Sequence, residues 1–309
     1  MEDTITKKNN LTMAKVKKFV TLESDNSWKF LYYPGQIILL IITMVPTIYA
    51  LILSLQKYNL AKPQERHFSF LGNYWDVLMN YRFWNSFKVT GIFTITSLVV
   101  EVALGMVLAV CLSKRIFGKG IAQILILIPM ITTPVVVGLV WKMFYDPQFG
   151  TLNYFLSILG IESIDLLSGK GTALIALIIV DIWEWTPYVT LILLSGIQSL
   201  PSEPYEAIRV DGATSWQTFR YLTLPLLKPV ISIAVVFRFM DLFKWMDTVY
   251  VISNGGPGIS TETMSYYAYT NNFKFLEVGF SAAMCIIMLI IILVICNTVG
   301  KREMLNDAD

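Results

Sequence analysis

The segment that decides the fold is 196–229, which reads GIQSLPSEPYEAIRVDGATSWQTFRYLTLPLLKP. It is largely polar, although long apolar stretches precede and follow it. Hydrophobic residues make up 55% of the 309-residue chain and charged residues only 15%, against about 25% in ordinary soluble domains. A soluble chain of this length needs more charge to cover its surface. We therefore expect an integral membrane protein in which this segment is a polar loop between two spans.

Within the loop, turn and capping residues predict two short helices. Ser202 is a typical N-cap for a first helix over about 203–210, and Gly212 is a typical helix stop. A second helix is expected over 215–221 and should be closed by Pro225. The loop is therefore predicted to be a helix-turn-helix, and an amphipathic loop at the membrane surface is the alternative.

Six stretches of the chain are apolar enough to cross a hydrocarbon core of about 30 Å, which needs about 20 helical residues. They are Gly35–Leu55, Phe87–Leu112, Ile121–Phe144, Thr172–Leu194, Val230–Ile252 and Val278–Val299. Pro129 and Pro134 are expected to kink the third. The predicted fold is all-α, with six transmembrane helices.

The distribution of lysine and arginine orients these spans, because cytoplasmic loops carry an excess of both. Fourteen lie on the side of the two tails and the loop 196–229, and six lie on the opposite side. Both termini are therefore expected to be cytoplasmic. We divide the chain into an N-terminal tail (1–31), a membrane domain (32–300) and a C-terminal tail (301–309).

The loop resembles the EAA loop of the permease subunits of binding-protein-dependent ABC importers. That signature is Glu-Ala-Ala, three residues, Gly, nine residues, Ile, one residue and Leu-Pro. The matching residues are Glu206, Ala207, Ile208, Gly212, Leu222, Leu224 and Pro225. Ile208 replaces the second alanine and Leu222 the isoleucine, and both replacements are apolar. Asp211 and Ala213, on either side of the glycine, are similar to the carbohydrate branch of the family.

The resemblance extends over roughly residues 32–300. Further matching stretches are Phe70-Leu71-Gly72-Asn73-Tyr74, Phe83-Trp84, Trp141, Arg238-Phe239 and Asn254-Gly255-Gly256-Pro257-Gly258. These look like the first maltose and glycerol-phosphate permease subunits, a type that pairs with a second, non-identical permease.

The resemblance implies a six-helix type I ABC importer permease with a cytoplasmic coupling loop, in the cell membrane of a prokaryote. Its implied partners are the second permease, two ATP-binding subunits, an extracytoplasmic solute-binding protein, a carbohydrate and membrane lipid. The ATPase would bind ATP and Mg²⁺, so no cofactor is expected in this chain. Glu206 would contact a cation of the ATPase, Ala207 and Ile208 would pack into its groove, and Gly212 would fix the turn.

Ionisable residues inside spans are a second source of signal, because each costs about 2.5–3.5 kcal/mol at a helix centre. The fifth span carries Arg238, Asp241, Lys244 and Asp247, each three residues from the next. They are interpreted either as a ladder of charges that neutralise one another along one face, or as a face lining the translocation path. Glu101 and the pair Asp181 and Glu184 allow the same two interpretations.

Aromatic residues on the fourth and fifth spans offer faces on which sugar rings could stack. Candidates for the path are Trp183, Trp185, Tyr188 and Trp245, together with Tyr250. Aromatic belts at the membrane interface give the same pattern. The run Asn254–Gly258 predicts a tight loop, and His67 is expected to be a solvated surface residue.

Several other functions are disfavoured. No Gly-x4-Gly-Lys-[Ser/Thr] motif occurs, so the chain is not expected to bind ATP. One histidine and three cysteines in apolar stretches, without CxxC or HExxH, argue against a metal site. A net charge of +2 without aromatic-rich basic clusters argues against nucleic acid. An ion-coupled secondary transporter is the main alternative, although such folds usually show repeated halves. A membrane-embedded enzyme comes third, because the chain offers few convergent catalytic groups.

Overall fold

The computed structural model describes residues 27–114 and 118–306, with side chains over 32–114 and 118–298. Most of the predicted N-terminal tail and the end of the C-terminal tail lie outside these residues, as do 115–117. Of the described residues, those up to Ile52 form one compact unit and those from Leu53 onward form another.

Most of the described residues are helical. In chain order the elements are α1 (Ser27–Ser54), β1 (Gln56–Lys57), a 3₁₀ helix (Pro63–Glu65), β2 (His67–Phe68), α2 (Gly72–Met79), α3 (Tyr81–Ser113), α4 (Lys119–Ile131), α5 (Pro134–Phe144), α6 (Thr151–Ile158), α7 (Lys170–Ser199), α8 (Glu203–Val210), α9 (Ser215–Thr218), a π-helix (Phe219–Thr223), α10 (Leu224–Leu226), α11 (Lys228–Phe243), α12 (Asp247–Ile252), α13 (Met264–Tyr269), a second π-helix (Thr270–Lys274) and α14 (Val278–Asn306). Among the described residues, α1, α3, α7 and α14 are long and apolar enough to cross a membrane unaided, and the count reaches six if each of two bent pairs is one span.

The third predicted span is broken rather than kinked. Helices α4 and α5 meet at 93°, and the linking residues Thr132 and Thr133 are extended. Pro134 explains the break, because its ring disfavours helical geometry at the preceding residue and it has no N–H to donate. The break therefore lies at Pro134, one of the two prolines expected to kink this span, and Pro129 lies inside the last turns of α4.

The fifth predicted span, Val230–Ile252, lies within a bent pair that can count as one span, but it is not one continuous helix. The segment α9–α10 meets α11–α12 at 65°, and a second break over residues 244–246 separates α11 from α12. At that break the N–H groups of Lys244 and Trp245 donate to carbonyls only three residues back. Such bonds tighten a helix end and leave the chain free to change direction.

Two of the four apolar clusters among the described residues pack around helix α7. One joins α3, α7 and the residue before α11, and it includes Met106, Val189, Leu193 and Leu227. The other joins α5, α7 and α12. Its buried members include Val137, Leu177, Val180 and Val249. Helix α7 contributes to both clusters and therefore links α3 to α5 and α12.

A short hairpin departs from the all-α prediction. Strands β1 and β2 pair antiparallel, with Lys57 opposite His67, and His67 is exposed as expected. The amide of Asn73 fixes the hairpin to α2 by donating to the carbonyls of Ser54 and Gln56, at 2.8 Å each.

The tight loop predicted at Asn254–Gly258 is present. Asn254, Gly255 and Gly258 all have positive φ. The loop is joined to the start of α3 by Arg82, whose guanidinium donates to both carboxylate oxygens of Glu262 at 2.6 and 2.7 Å. Glu262 is buried, so this bidentate pair anchors the loop 253–263 firmly.

Candidate functional sites

The segment 203–226 projects from the ends of α7 and α11 and is built by local interactions. Helix α8 ends in a Schellman motif, in which the N–H of Ala213 donates to Ile208 and the N–H of Gly212 donates to Arg209. Gly212 has φ +77°, a conformation that costs an L side chain about 1–2 kcal/mol. The predicted helix over 203–210 and its glycine stop are both confirmed.

A capping box starts the second helix of the segment. The N–H of Gln217 donates to the hydroxyl of Thr214, and the side chain of Gln217 accepts from the N–H of Thr214. The predicted N-cap of the first helix was wrong in one respect. Ser202 precedes α8 but makes no side-chain capping bond, because its own backbone is already helical, whereas a capping residue is normally extended.

The end of the segment also differs from the prediction. Pro225 does not close the second helix; the helical path widens into the π-helix Phe219–Thr223 and continues through α10, with Pro225 in its first turn. Pro225 stands at the start of α10, directly after the π-helix, a position that proline tolerates. The hydroxyl of Tyr205 donates to that of Thr223 at 3.0 Å, which ties the first helix of the segment to the last.

Most residues predicted to meet an ATPase lie on the surface of this segment. Glu206, Ala207, Asp211, Gly212, Leu224 and Pro225 are exposed, and Ile208 and Ala213 are half-buried. Val210 is 88% exposed and Trp216 is 65% exposed. Both are apolar side chains exposed on an otherwise polar segment.

A second site is a cluster of four ionisable side chains between α3, α7 and α11. The guanidinium of Arg238 donates Nε and Nη2 to the two oxygens of Glu101, at 2.7 Å each, and Nη2 also donates to Asp181 at 3.2 Å. Arg238 is 1% exposed, and Glu101, Asp181 and Glu184 are 0% exposed. Neither carboxylate oxygen of Glu184 has a hydrogen-bond partner among the described residues.

The charge ladder predicted along the fifth span does not form. Arg238 pairs with carboxylates of two other helices, and only Asp241 and Lys244 approach each other, at 3.5 Å on the exposed surface. Asp247 starts a new helix, because α11 ends at Phe243. The i,i+3 spacing therefore does not place all four groups on one continuous helix face.

The aromatic candidates lie in different surroundings. The ring of Trp185 lies 5.1 Å from the guanidinium carbon of Arg238, within reach of a cation–π interaction. Trp245 stacks on Phe93 with ring centroids 4.2 Å apart, so one of its faces is covered. Trp183 is 44% exposed and contacts Trp141, whereas Tyr188 packs in the apolar cluster of α3 and α7. The structure brings only Trp185 close to Arg238.

The described residues contain no group of three or more histidine, cysteine or acidic side chains arranged to hold a metal ion. Helices broken within the membrane, together with buried ionisable groups, are typical of transport proteins. The fold and these sites therefore define a polytopic helical transport protein with a structured segment outside the membrane.

Comparison with known proteins identifies the family. A model of the binding-protein-dependent transport system inner membrane component matches residues 101–301, so the chain belongs to that family. It is similar to a probable ABC transporter permease of Sinorhizobium fredii, at 41% identity over 85% of each chain. It is also similar to the trehalose/maltose transport system permease of Thermococcus litoralis, at 36% identity over 74% of this chain and 77% of the relative.

A solved structure shares the fold. The similarity is to a bacterial alginate ABC transporter crystallised with an alginate-bound periplasmic protein, with a TM-score of 0.77. Identity is 22%, and the match covers 90% of this chain and 95% of that one. None of these findings supports the alternative of an ion-coupled secondary transporter.

Sequence reasoning missed several interactions at these sites. The capping box has a local signal, Thr-x-x-Gln at 214–217, which could have been found. The pairings of Arg238 with Glu101 and of Arg82 with Glu262 have no local signal, because 137 and 180 residues separate the partners.

Proposed function

We propose that this chain is one permease half of an ATP-driven importer and carries a carbohydrate. The observation that carries the proposal is the exposed, internally bonded segment 203–226, placed between two spanning helices and bearing the signature of the coupling loop. Trehalose and maltose, named for a relative at 36% identity, support a carbohydrate as the solute. The alginate transporter shares only the fold, so the charge of its solute carries no information about the charge of the solute proposed for this chain.

Coupling follows from how the segment is bonded. The Schellman motif, the capping box and the contact of Tyr205 with Thr223 make it a stiff body. Its base is continuous with α7 and α11, and Phe219 and Leu227 pack in the apolar cluster of α3 and α7. A push on its exposed surface by an ATPase would therefore be transmitted to the spanning helices.

The same proposal assigns partners and orientation. A second, non-identical permease completes the path, two ATP-binding subunits bind ATP and Mg²⁺, and an extracytoplasmic protein delivers the solute. The segment 203–226 and both termini face the cytoplasm. The chain itself binds no cofactor and catalyses no reaction; its part is to form half of the path.

The test is to purify the complete importer with its co-expressed partners and measure solute-stimulated ATP hydrolysis in proteoliposomes. Glu206→Lys should reduce both ATPase association and stimulated hydrolysis at least tenfold. Glu203→Lys is the matched control, since it makes the same charge change on the same exposed helix outside the signature. Equal behaviour of the two variants, or uptake driven by a proton gradient without ATP, would reject the proposal.

A further inference from the structure

The β1–β2 hairpin and α2 carry an exposed apolar surface. Between residues 68 and 81, six large apolar side chains are more than half exposed, and they are Phe68, Phe70, Leu71, Trp75, Met79 and Tyr81. We call these six side chains the α2 face. Leu71, Trp75 and Met79 are four residues apart and therefore share one side of the helix. Asn73 and Val77, on the other side of α2, are buried against the protein.

The α2 face lies at the end of α3 that is remote from the segment 203–226. The last turns of α3 and α7 pack together through Leu112 and Leu193, close to that segment. Phe93, nearer the start of α3, packs with Ile178, nearer the start of α7. The two helices therefore run in the same direction, and the start of α3 meets the opposite surface of the membrane.

The α2 face offers no free charge to a soluble protein. Residues 68–84 contain two charged side chains, Asp76 and Arg82. Asp76 forms an ion pair with Lys57, and Arg82 forms one with the buried Glu262. Soluble partners are usually steered to their site by complementary charge. The α2 face therefore suits an apolar phase better than it suits a water-soluble protein.

The α2 face continues onto an exposed stripe of a spanning helix. The indole N–H of Trp84 donates to the carbonyl of Leu78 at 2.7 Å, which joins the start of α3 to the end of α2. From Trp84, exposed residues follow along one side of α3 at helical spacing, namely Lys88, Ile92, Ile95 and Val99. Tryptophan and tyrosine are enriched where such apolar stripes meet the headgroups of a membrane. Trp75, Tyr81 and Trp84 therefore mark a membrane interface.

The length of α3 places the α2 face at the level of the headgroups. Helix α3 has 33 residues, which makes it about 50 Å long. At the usual tilt of about 20° it spans roughly 46 Å, close to the ~40–45 Å of a bilayer with its headgroups. Lys114 directly follows the other end of the helix, so Tyr81 and Lys114 lie in the two headgroup layers. Lys88, about 10 Å inside Tyr81, can extend its ammonium to the nearer layer.

From these observations we infer that the α2 face is an interfacial membrane anchor. It inserts at the boundary of headgroups and acyl chains in the phospholipid leaflet opposite the segment 203–226, which is the outer leaflet in the orientation proposed above. Helices of this kind bury their apolar face about 5–10 Å into that boundary. The anchor holds the start of α3 at a fixed depth, and the bonds of Arg82 to Glu262 extend this restraint to the loop 253–263. This role is independent of the solute and of the ATPase.

Quenching of tryptophan fluorescence tests whether the α2 face lies in lipid. The full chain, purified with the subunits that accompany it, is reconstituted in phosphatidylethanolamine and phosphatidylglycerol vesicles, with or without acyl chains brominated close to the headgroup. The emission of one tryptophan is the difference between wild type and its phenylalanine variant. Trp75→Phe is compared with Trp216→Phe on the segment 203–226, because these two indoles are 63% and 65% exposed.

Brominated lipid should quench the emission of Trp75 by roughly half and leave that of Trp216 unchanged, because bromine quenches only rings within the bilayer. Iodide in the water should not quench Trp75. Quenching of Trp75 by iodide and not by brominated lipid would overturn the inference, because the α2 face would then face water. Protection of Trp75 from both quenchers would also overturn it, in favour of a protein that covers the α2 face.

A charge on the α2 face tests the anchor by a second measurement. Trp75→Glu places a carboxylate at the edge of the hydrocarbon and should raise hydrogen exchange of the amides 72–79 in the same vesicles about tenfold. Trp75→Phe is the matched control at the same position and should leave this exchange unchanged, because phenylalanine stays in the interface. Equal exchange in the two variants would show that the face is not embedded.

Discussion

The segment 203–226 and the charge cluster around Arg238 are ordered in opposite ways. The segment is exposed, and its bonds join residues at most eighteen positions apart. The cluster is buried, and its bonds join residues 57 and 137 positions apart. Local bonds make a stiff surface that a partner can push, whereas remote bonds fix three spanning helices to one another. Substitutions in the segment should therefore affect coupling, and substitutions in the cluster should affect the fold.

The largest effect is expected from Arg238→Met, which leaves three buried carboxylates without a cation. Removing one partner of a buried ion pair costs about 3–5 kcal/mol. The melting temperature and the yield of monodisperse protein in detergent should both fall sharply. The matched variant Arg238→Met with Glu101→Gln and Asp181→Asn removes the charges together and should recover most of the loss. If the single variant were as stable as wild type, the cluster would not hold the helices.

Gly212→Ala should have the next largest effect, because alanine at φ +77° costs about 1–2 kcal/mol. No atom lies within 4 Å of the added Cβ, so the cost comes from the backbone alone. Gly212→Asn is the control, since asparagine tolerates this conformation better. Stimulated ATP hydrolysis should fall in the order wild type, Asn, Ala. An alanine variant as active as wild type would show that the turn does not need a left-handed residue.

Smaller losses of stability are expected from substitutions at the two helix starts of the segment, and the two losses should differ. Thr214→Val removes the capping box and should cost about 1 kcal/mol, whereas Ser202→Ala removes no capping bond and should cost less than about 0.5 kcal/mol. Hydrogen exchange of the amides at 215–218 and 203–206 measures the two separately. Equal losses would mean that Ser202 caps α8 after all.

The smallest effect is expected at Asp146, another site of local bonding. The N–H groups of Phe149 and Gln148 donate to its carboxylate and lower its pKa from the ordinary value of about 3.9. A lowered pKa stabilises the folded loop above the unfolded pKa, and this contribution is lost as the pH falls through the folded pKa. Protection of the Phe149 amide should therefore weaken below about pH 4, and Asp146→Asn should abolish that dependence. A pH dependence retained in the variant would contradict this assignment.

Much of the fold was predictable because its signals are local or periodic. Apolar stretches located the spans, and Gly212 and the run Asn254–Gly258 marked turns that the structure confirms. The prediction failed at Ser202 and Pro225, where the backbone path decides whether a capping or breaking residue acts. It also failed at residues 244–246. The charged residues of the fifth span are spaced as on one helix face, but a break in the helix separates them.

The sequence alone determined that the chain crosses a membrane, where its polar segment lies, and which family's signature that segment carries. These properties follow from hydropathy and from spacing along the chain. Only the tertiary structure decided that Arg238 bonds to Glu101 and Asp181, and that Glu184 is left without a hydrogen-bond partner among the described residues. The reason is physical: a buried charge must find its counter-charge in space, and helix packing brings together residues that the chain keeps far apart.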